Sequence, residues 1–259
     1  MRILLSSDKF KGALSAQGVA QSCEKALQSV FPGAVFDACP IADGGEGTTE
    51  AMVAALRGVW RETTVLDAQA RPRLARYGWV PAPQVAILEM SAASGLALVQ
   101  DRSLQPELAS TFGTGEMLLA AMASGARKII IGIGGSATND GGLGVAVALG
   151  WRFFRADGSA FQPTLETVLA AVRMESPSHP LPEILVACDV DNPLLGPRGA
   201  TRVYGPQKGV QDFTWFEERL AHLAQLTATA TGADHQHQPG AGAAGGLGFG
   251  LMAFADGKL

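Results

Sequence analysis

The chain has 259 residues, of which 47% are hydrophobic and 17% are charged, and its formal net charge is −4 at pH 7. A globular chain of this length can fill a substantial core as one large or two modest domains. The weakly negative charge provides no basic field for a polyanion, so nucleic acid is not an expected partner. No apolar run approaches the roughly 20 residues of a membrane span, so we expect no membrane partner either.

The cysteines and the first residues of the chain indicate where in the cell the protein is located. Cys23, Cys39 and Cys188 are odd in number and lack the spacing of metal ligands. This pattern indicates reduced, buried thiols rather than a disulfide framework. Residues 1–12 do not have the pattern of a signal peptide. We therefore expect a cytoplasmic protein.

The N-terminal elements alternate between strand and helix. Residues 2–6 predict a short buried strand, and residues 15–27 predict a helix with apolar side chains at helical spacing. A second strand at residues 35–39 and a second helix at residues 48–56 repeat the pattern. Such alternation predicts a parallel α/β sheet, in which ligands bind at the carboxyl ends of the strands.

The pattern changes after the second helix. Residues 63–90 form shorter strand-like segments separated by Pro-containing turns, which indicates a domain boundary near residues 60–66. Further along, we predict helices at residues 114–124, 143–149 and 215–229 and strands at residues 128–133 and 183–187. Two glycine-rich segments, residues 131–142 and 239–251, interrupt these elements.

The segment IGIGGSATNDGG, residues 131–142, follows a predicted strand directly. Glycines permit positive φ and close approach, so successive amides can point at phosphate oxygens. Ser136, Thr138 and Asn139 can add side-chain donors. The segment matches neither the dinucleotide motif nor the Walker loop, so a plain strand-to-helix turn remains an alternative.

Two turns bring carboxylates to the ends of predicted strands. Asp43 and Glu46 lie among glycines and can hold Mg²⁺ or accept a hydroxyl proton. The alternative is a helix cap in which the acidic side chains complement the helix dipole. Asp189 and Asp191 alternate along an extended segment, so both could meet one cation. A solvated turn before Pro193 is the alternative there.

Three lysines occur in glycine-rich or polar turns, namely Lys9, Lys11 and Lys208. An ammonium group in such a turn can neutralise the oxygens of a transferring phosphoryl group. For each lysine taken alone, simple exposure to solvent is the alternative.

The order of the motifs is more specific than any one of them. The chain contains, in order, SSDKFKGALSA, PIADGGEGT, EMSAASGLALV, STFGTGEML, IGIGGSATNDGG, ACDVDNPLLGPRGA, VYGPQKG and PGAGAAGGLGFGL. This series resembles the bacterial glycerate kinase family, whose members phosphorylate D-glycerate with ATP. The resemblance runs from residue 3 to about residue 254.

The resemblance implies an α/β fold with two domains and a kinase that uses ATP and Mg²⁺. Residues 1–64 would be the N-terminal segment of a discontinuous flavodoxin-like domain with a parallel sheet, and residues 65–259 would be an inserted mixed α/β domain. The implied partners are D-glycerate and ATP, and a homodimer is an open alternative.

The motifs also suggest a set of site residues. The residues expected to contact nucleotide or phosphate are Gly134, Gly135, Ser136, Thr138, Asn139, Asp140, Gly242, Gly245 and Gly246. The expected Mg²⁺ ligands are Asp43, Glu46 and Asp191. The expected catalytic residues are Asp189, Lys11, Asp43 and Lys208.

One departure from the family pattern concerns length. Family members continue past the Gly-Leu-Gly-Phe-Gly segment, so the flavodoxin-like domain would be incomplete here. We therefore expect weak or no kinase activity from this chain unless another chain supplies the missing strands. The alternative is an inactive protein that binds glycerate or a phosphorylated ligand. An unrelated dinucleotide-binding oxidoreductase is disfavoured because residues 4–15 lack the G-x-G-x-x-G turn.

Overall fold

The computed structural model describes residues 1–10, 13–42, 44–100 and 103–259. The strands are Arg2–Leu5 (β1), Val35–Ala38 (β2), Val59–Leu66 (β3), Pro72–Val80 (β4), Val85–Glu89 (β5), Lys128–Gly132 (β6), Arg152–Phe154 (β7), Ala160–Phe161 (β8), Arg173–Glu175 (β9) and Glu183–Ala187 (β10). The helices are Ala16–Val30 (α1), Thr48–Ala55 (α2), Ser91–Ser94 (α3), Phe112–Ala123 (α4), Leu143–Ala148 (α5), Ala200–Tyr204 (α6), Phe213–Thr231 (α7) and Ala243–Ala255 (α8). The chain is a mixed α/β protein, as predicted.

The N-terminal unit is a parallel pair, β1 and β2, with α1 and α2 following the two strands. Helix α1 begins after Ser15, whose side-chain oxygen accepts the N–H of Gly18 at 3.1 Å. This bond satisfies one of the open donors of the first turn. The prediction of a buried first strand is wrong, because β1 pairs with β2 alone and Leu4 is 65% exposed.

The central sheet has five strands in the order β10-β6-β5-β4-β3. β10, β6 and β5 are parallel, whereas β4 and β3 are antiparallel to their neighbours. Ile87, Ile129 and Ile131 of the parallel strands have no exposed surface. Burial on both faces of the sheet explains why β5 and β6 contain continuous apolar runs in the sequence. The carboxyl ends of β5, β6 and β10 meet at one edge of the sheet.

Helices cover both faces of this sheet. The main core joins Ile129 and Ile131 of β6 to Phe249 and Leu251 of α8. On the other face, Val53 of α2 packs against β4 and β5. The sheet therefore has a helix of the N-terminal unit on one side and the C-terminal helix on the other.

A small antiparallel sheet, in the order β8-β7-β9, was missed by the sequence analysis. Its strands have only two or three residues each, which is too short for a periodic pattern to be visible. The predicted domain boundary after residue 64 falls inside β3 and stays a prediction; the change of sheet occurs at Val59.

The cysteine prediction is partly wrong. All three cysteines are free thiols, but Cys23 and Cys39 are exposed and Cys188 is half-buried. Cys23 lies on α1, one turn beyond the buried Val19 and Ala20, and yet its side chain is exposed. Separately, none of the helices in the described part of the chain has the length and apolar character needed to cross a bilayer.

Candidate active site

Two cavities open where the strands of the central sheet end. The large cavity has a volume of about 440 Å³ and is bordered by residues of α1, α2 and the loops before them, together with Trp60 of β3, Arg76 of β4 and Glu89 of β5. The small cavity, of about 150 Å³, lies at the ends of β6 and β10. The loop of residues 44–47 contributes to the large cavity and packs against the strand ends that border the small one.

The loop of residues 44–47 is docked closely on the end of β6. Gly134 donates its N–H to the carbonyl oxygen of Gly44 at 3.2 Å. A Cβ atom on Gly132 would lie 2.3 Å from that same oxygen, so only glycine permits this approach. Gly45 lies against Gly134, and the next residue, Glu46, borders the large cavity.

The small cavity contains part of the predicted phosphate-binding segment. Gly134, Gly135 and Ser136 line it from the end of β6, and Asp189 lines it from the turn after β10. Because β6 and β10 are parallel neighbours, their following loops lie side by side. The other lining residues come from these loops and from helices α6 and α8 and their surroundings: Ile133, Ala187, Cys188, Val190, Tyr204, Gln207, Ala243 and Ala244.

Lys208 lies directly behind this lining. Its side chain is fully buried, and Nζ donates to the Ser136 hydroxyl and to the Thr138 carbonyl, each at 2.6 Å. Burial lowers the pKa of the Lys208 ammonium to about 7, although the negative charge of Asp140 acts to raise it. The lysine therefore ties two residues of the glycine-rich segment together and carries a charge that changes near neutral pH.

Asp140 faces the interior of the protein. Its carboxylate accepts the Thr111 N–H and hydroxyl, both at 2.8 Å, and the N–H groups of Gly142 and Gly144. Burial raises the pKa of this carboxyl, although these hydrogen bonds act in the opposite direction. With both oxygens accepting hydrogen bonds, Asp140 stabilises the loop and the start of α5, and its predicted contact with nucleotide or phosphate stays a prediction.

Thr138 and Asn139 are also buried behind the cavity lining. Asn139 donates from Nδ2 to the hydroxyl of Thr201 at 3.0 Å, and both residues have no exposed surface. Of the side chains expected to donate to phosphate, only Ser136 therefore borders the small cavity.

The second glycine-rich segment packs against the first. Gly245 accepts the N–H of Gly141 at 3.0 Å, and Gly246 lies against the same residue. Gly242 packs against the carbonyl oxygen of Pro193. The cavity is instead lined by the neighbouring Ala243 and Ala244. These glycines allow the two backbones to approach closely, and their contact with nucleotide or phosphate stays a prediction.

Replacing Gly245 with alanine is expected to destabilise the fold by about 3 kcal/mol, because strain and overpacking add. Gly245 has a φ of +69°, and a Cβ atom there would lie 1.9 Å from the Thr138 carbonyl oxygen. Denaturant unfolding measures this cost. Gly158→Ala is the matched control, since Gly158 also has a positive φ but no atom near the added Cβ. Equal costs for the two variants would contradict the close packing of the two segments.

The large cavity contains charged groups of both signs. Lys9 donates its ammonium to the backbone oxygen of Glu46. Glu89 was missed by the sequence analysis, although it ends a predicted strand, which is the signal that could have identified it. Its carboxylate accepts the N–H of Thr49 at 2.6 Å. Burial raises the pKa of the Glu89 carboxyl, with the hydrogen bonds and Lys9 acting in the opposite direction.

The remaining predicted site residues are Asp191, Lys11 and Asp43. Asp191 forms an exposed ion pair with Arg198 at 3.2 Å and lines neither cavity. Lys11 and Asp43 lie outside the described residues. Across residues 1–10, 13–42, 44–100 and 103–259, no group of three or more His, Cys, Asp or Glu side chains is arranged to hold a metal ion.

A glycine-rich segment and a carboxylate at the ends of adjacent parallel strands, with a buried lysine behind them, are features of a phosphoryl-transfer enzyme. The comparisons agree with this class. The model of the glycerate kinase family matches residues 3–259. The chain belongs to the glycerate kinase family, and it is a kinase.

Individual relatives show the same similarity. A glycerate kinase of Bacillus subtilis (strain 168) is 42% identical over all of this chain and 69% of its own length. A glycerate 2-kinase of Escherichia coli (strain K12) is 43% identical over all of this chain and 70% of its own length. A crystal structure assigned to glycerate kinase 2 of Salmonella typhimurium LT2 superposes with a TM-score of 0.90 and is 38% identical, covering 100% of this chain and 71% of that one.

These matches bear on the alternatives left open by the sequence. Kinases are matched along the whole of this chain, which favours catalysis over a protein that only binds a ligand. Membership of this family implies ATP as a substrate. The chain spans about 70% of the length of its Escherichia coli relative.

Proposed function

We propose that this chain transfers the γ-phosphoryl group of ATP to a hydroxyl group of D-glycerate, giving phosphoglycerate and ADP. The family match and the two relatives named as glycerate kinases support the substrate. The name of the Escherichia coli relative, glycerate 2-kinase, favours the 2-hydroxyl as the acceptor. A cytoplasmic location would supply ATP. The homodimer considered from the sequence stays a prediction, which sedimentation would test.

One structural observation carries this proposal: Gly134, Ser136 and Asp189 line one small cavity, and Lys208 supports it from behind. The amides of the glycine-rich segment would bind phosphate or carboxylate oxygens. Asp189 would accept the hydroxyl proton of glycerate as the oxygen attacks the γ-phosphorus and the bond to the ADP oxygen breaks. Lys9 and Lys208 would offset the negative charge of the substrates.

Mg²⁺ is part of the proposal, and the donors present are suited to it. Mg²⁺ binds oxygen ligands and commonly takes only one or two carboxylates, with water and substrate phosphates completing its shell. Glu46 brings a carboxylate to the wall of the large cavity, and it would hold the ion together with substrate phosphates and water. When bound, the ion would neutralise charge on the phosphates. Asp191 would first have to leave its exposed pair with Arg198.

The direct test is ADP formation by the purified chain with D-glycerate, ATP and Mg²⁺, followed by ³¹P NMR of the product. Because kinases match the whole of this chain, we expect ADP to form at a rate that depends on glycerate, in place of the weak or absent activity expected from the sequence. We expect the product to carry its phosphate on the 2-oxygen. A reaction without glycerate measures background ATP hydrolysis. Equal rates with and without glycerate would contradict the proposed function.

A further inference from the structure

Trp60 and Arg76 border the large cavity from the β3–β4 pair. The guanidinium carbon of Arg76 lies 4.3 Å from the centroid of the Trp60 ring. Trp60 is paired with Gly78, and Arg76 is two residues from Gly78, so both side chains are on the same face of the sheet. Stacking on the ring restricts the guanidinium to one plane at the cavity wall.

Gly78 explains how α2 comes close to the same face. A Cβ atom on Gly78 would lie 2.3 Å from a methyl carbon of Val53 and 3.3 Å from one of Thr49. Helix α2 therefore packs tightly against β4 at this point. Thr49, Glu50, Ala51 and Ala54 of α2 border the cavity together with Trp60 and Arg76.

The described lining of the large cavity has more negative than positive side chains. Its described lining includes four carboxylates, Asp8, Glu46, Glu50 and Glu89, and two cations, Lys9 and Arg76. The Lys9 ammonium is bonded to the backbone oxygen of Glu46. Arg76, in contrast, forms no ion pair with any carboxylate in the part of the chain that the structure describes.

An anionic substrate entering this cavity needs a positioned cation, because the carboxylates of the lining repel it. The stacked guanidinium leaves its N–H edge available, and this edge matches the two oxygens of a carboxylate or phosphate group. We propose that Arg76, held in place by Trp60, is the residue of the large cavity that binds a carboxylate or phosphate group of a substrate. The identity of that substrate as glycerate or ATP rests on the proposed function.

Arg76→Met tests this proposal by removing the charge while keeping an extended side chain. Calorimetry would measure the Kd of D-glycerate and of ATP separately for the wild-type chain and the variant. We expect the Kd of one ligand to rise roughly 10- to 100-fold, since a charge-assisted hydrogen bond is lost. A rise for D-glycerate identifies its carboxylate as the bound group, and a rise for ATP identifies a phosphate. Arg76→Lys keeps the positive charge but loses the paired N–H donors of the guanidinium, so the Kd should rise less than in Arg76→Met.

The chain offers a matched control in Arg61. Its guanidinium also lies over a tryptophan, Trp79, at 4.4 Å on the opposite face of the same strand pair, and it does not border the large cavity. Arg61→Met should leave both Kd values unchanged. An unchanged Kd for both ligands in Arg76→Met, or an equal change in Arg61→Met, would overturn the role of Arg76.

The binding experiment on Arg76 can be distinguished from the test of the proposed kinase reaction. A wild-type chain that binds D-glycerate and ATP but forms no ADP overturns the proposed kinase reaction and leaves the binding comparison informative. A wild-type chain that binds neither ligand overturns both proposals. Thermal unfolding of each variant excludes loss of the fold as the cause of weaker binding, and Arg76 is exposed, so we expect little change there.

Discussion

Asp189→Asn is expected to lower kcat by about 100- to 10,000-fold, the range associated with general acid–base catalysis. The amide keeps the size of the side chain but cannot take the glycerate proton. Asp189 is exposed at the wall of the small cavity, so the free energy of unfolding should change little. The measurement is the rate of ADP formation at saturating D-glycerate and ATP, with unfolding followed in parallel.

Asp191→Asn distinguishes the two carboxylates of this turn. If the exposed pair with Arg198 is the whole role of Asp191, activity stays near the wild-type value, since such pairs contribute little. If Asp191 holds Mg²⁺, activity falls and higher Mg²⁺ concentrations partly restore it. An Asp189→Asn variant with near wild-type kcat would remove Asp189 from the role of base.

Lys208→Met is expected to lower kcat/KM by about 100-fold, a loss comparable to removing one preorganised donor to a transition state. The variant loses both hydrogen bonds that tie Ser136 to the Thr138 carbonyl, together with the positive charge behind the cavity. Kinetics with D-glycerate and ATP measure the loss. Lys128→Met is the control, because Lys128 forms an exposed pair with Glu183 at the opposite end of β6.

The pH dependence gives a second test of Lys208. Its pKa of about 7 in the folded chain predicts that kcat/KM falls as pH rises through 7, because the ammonium loses its proton. A bound phosphate would raise this pKa, so the fall in kcat should occur at higher pH. The same falling limb in Lys208→Met would show that another group is responsible.

Deprotonation of Lys208 should affect folding stability and kcat/KM in opposite directions: the free energy of unfolding should rise with pH. The unfolded chain keeps the Lys208 proton up to the ordinary pKa of 10.5, whereas the folded chain loses it near 7. Between these values the unfolded state binds more protons, so folding stability rises with pH. The free energy of unfolding of the wild-type chain, relative to Lys208→Met, should therefore increase from pH 7 to pH 10. A flat difference would contradict the lowered pKa.

Much of the local structure could be predicted from the sequence. The helix predicted at residues 215–229 is α7, and the strand predicted at residues 128–133 is β6, each within two residues of its observed ends. Both have a long or strongly apolar pattern, which is the kind of signal that local sequence carries well. The strands β7, β8 and β9 were missed because their two or three residues form no pattern.

The candidate site was predicted only in part. Gly134, Ser136 and Asp189 were predicted as site residues because they follow predicted strands, and the structure brings them to one cavity because β6 and β10 are parallel neighbours. Glu89, Trp60 and Arg76 were missed. Arg76 lies in a strand whose exposed charged residues are indistinguishable by sequence from an ordinary solvated face, and only its place beside a cavity marks it.

The sequence by itself determined the family, the α/β class and the positions of the glycine-rich segments, because these depend on residue order and on backbone preferences within a few residues. Only the tertiary structure decided which polar side chains border a cavity and which form hydrogen bonds inside the protein. Ser136 borders the small cavity, whereas Asp140, four residues later, binds Thr111 and the start of α5. Such partners are distant in sequence, so their contacts follow from packing of the whole chain.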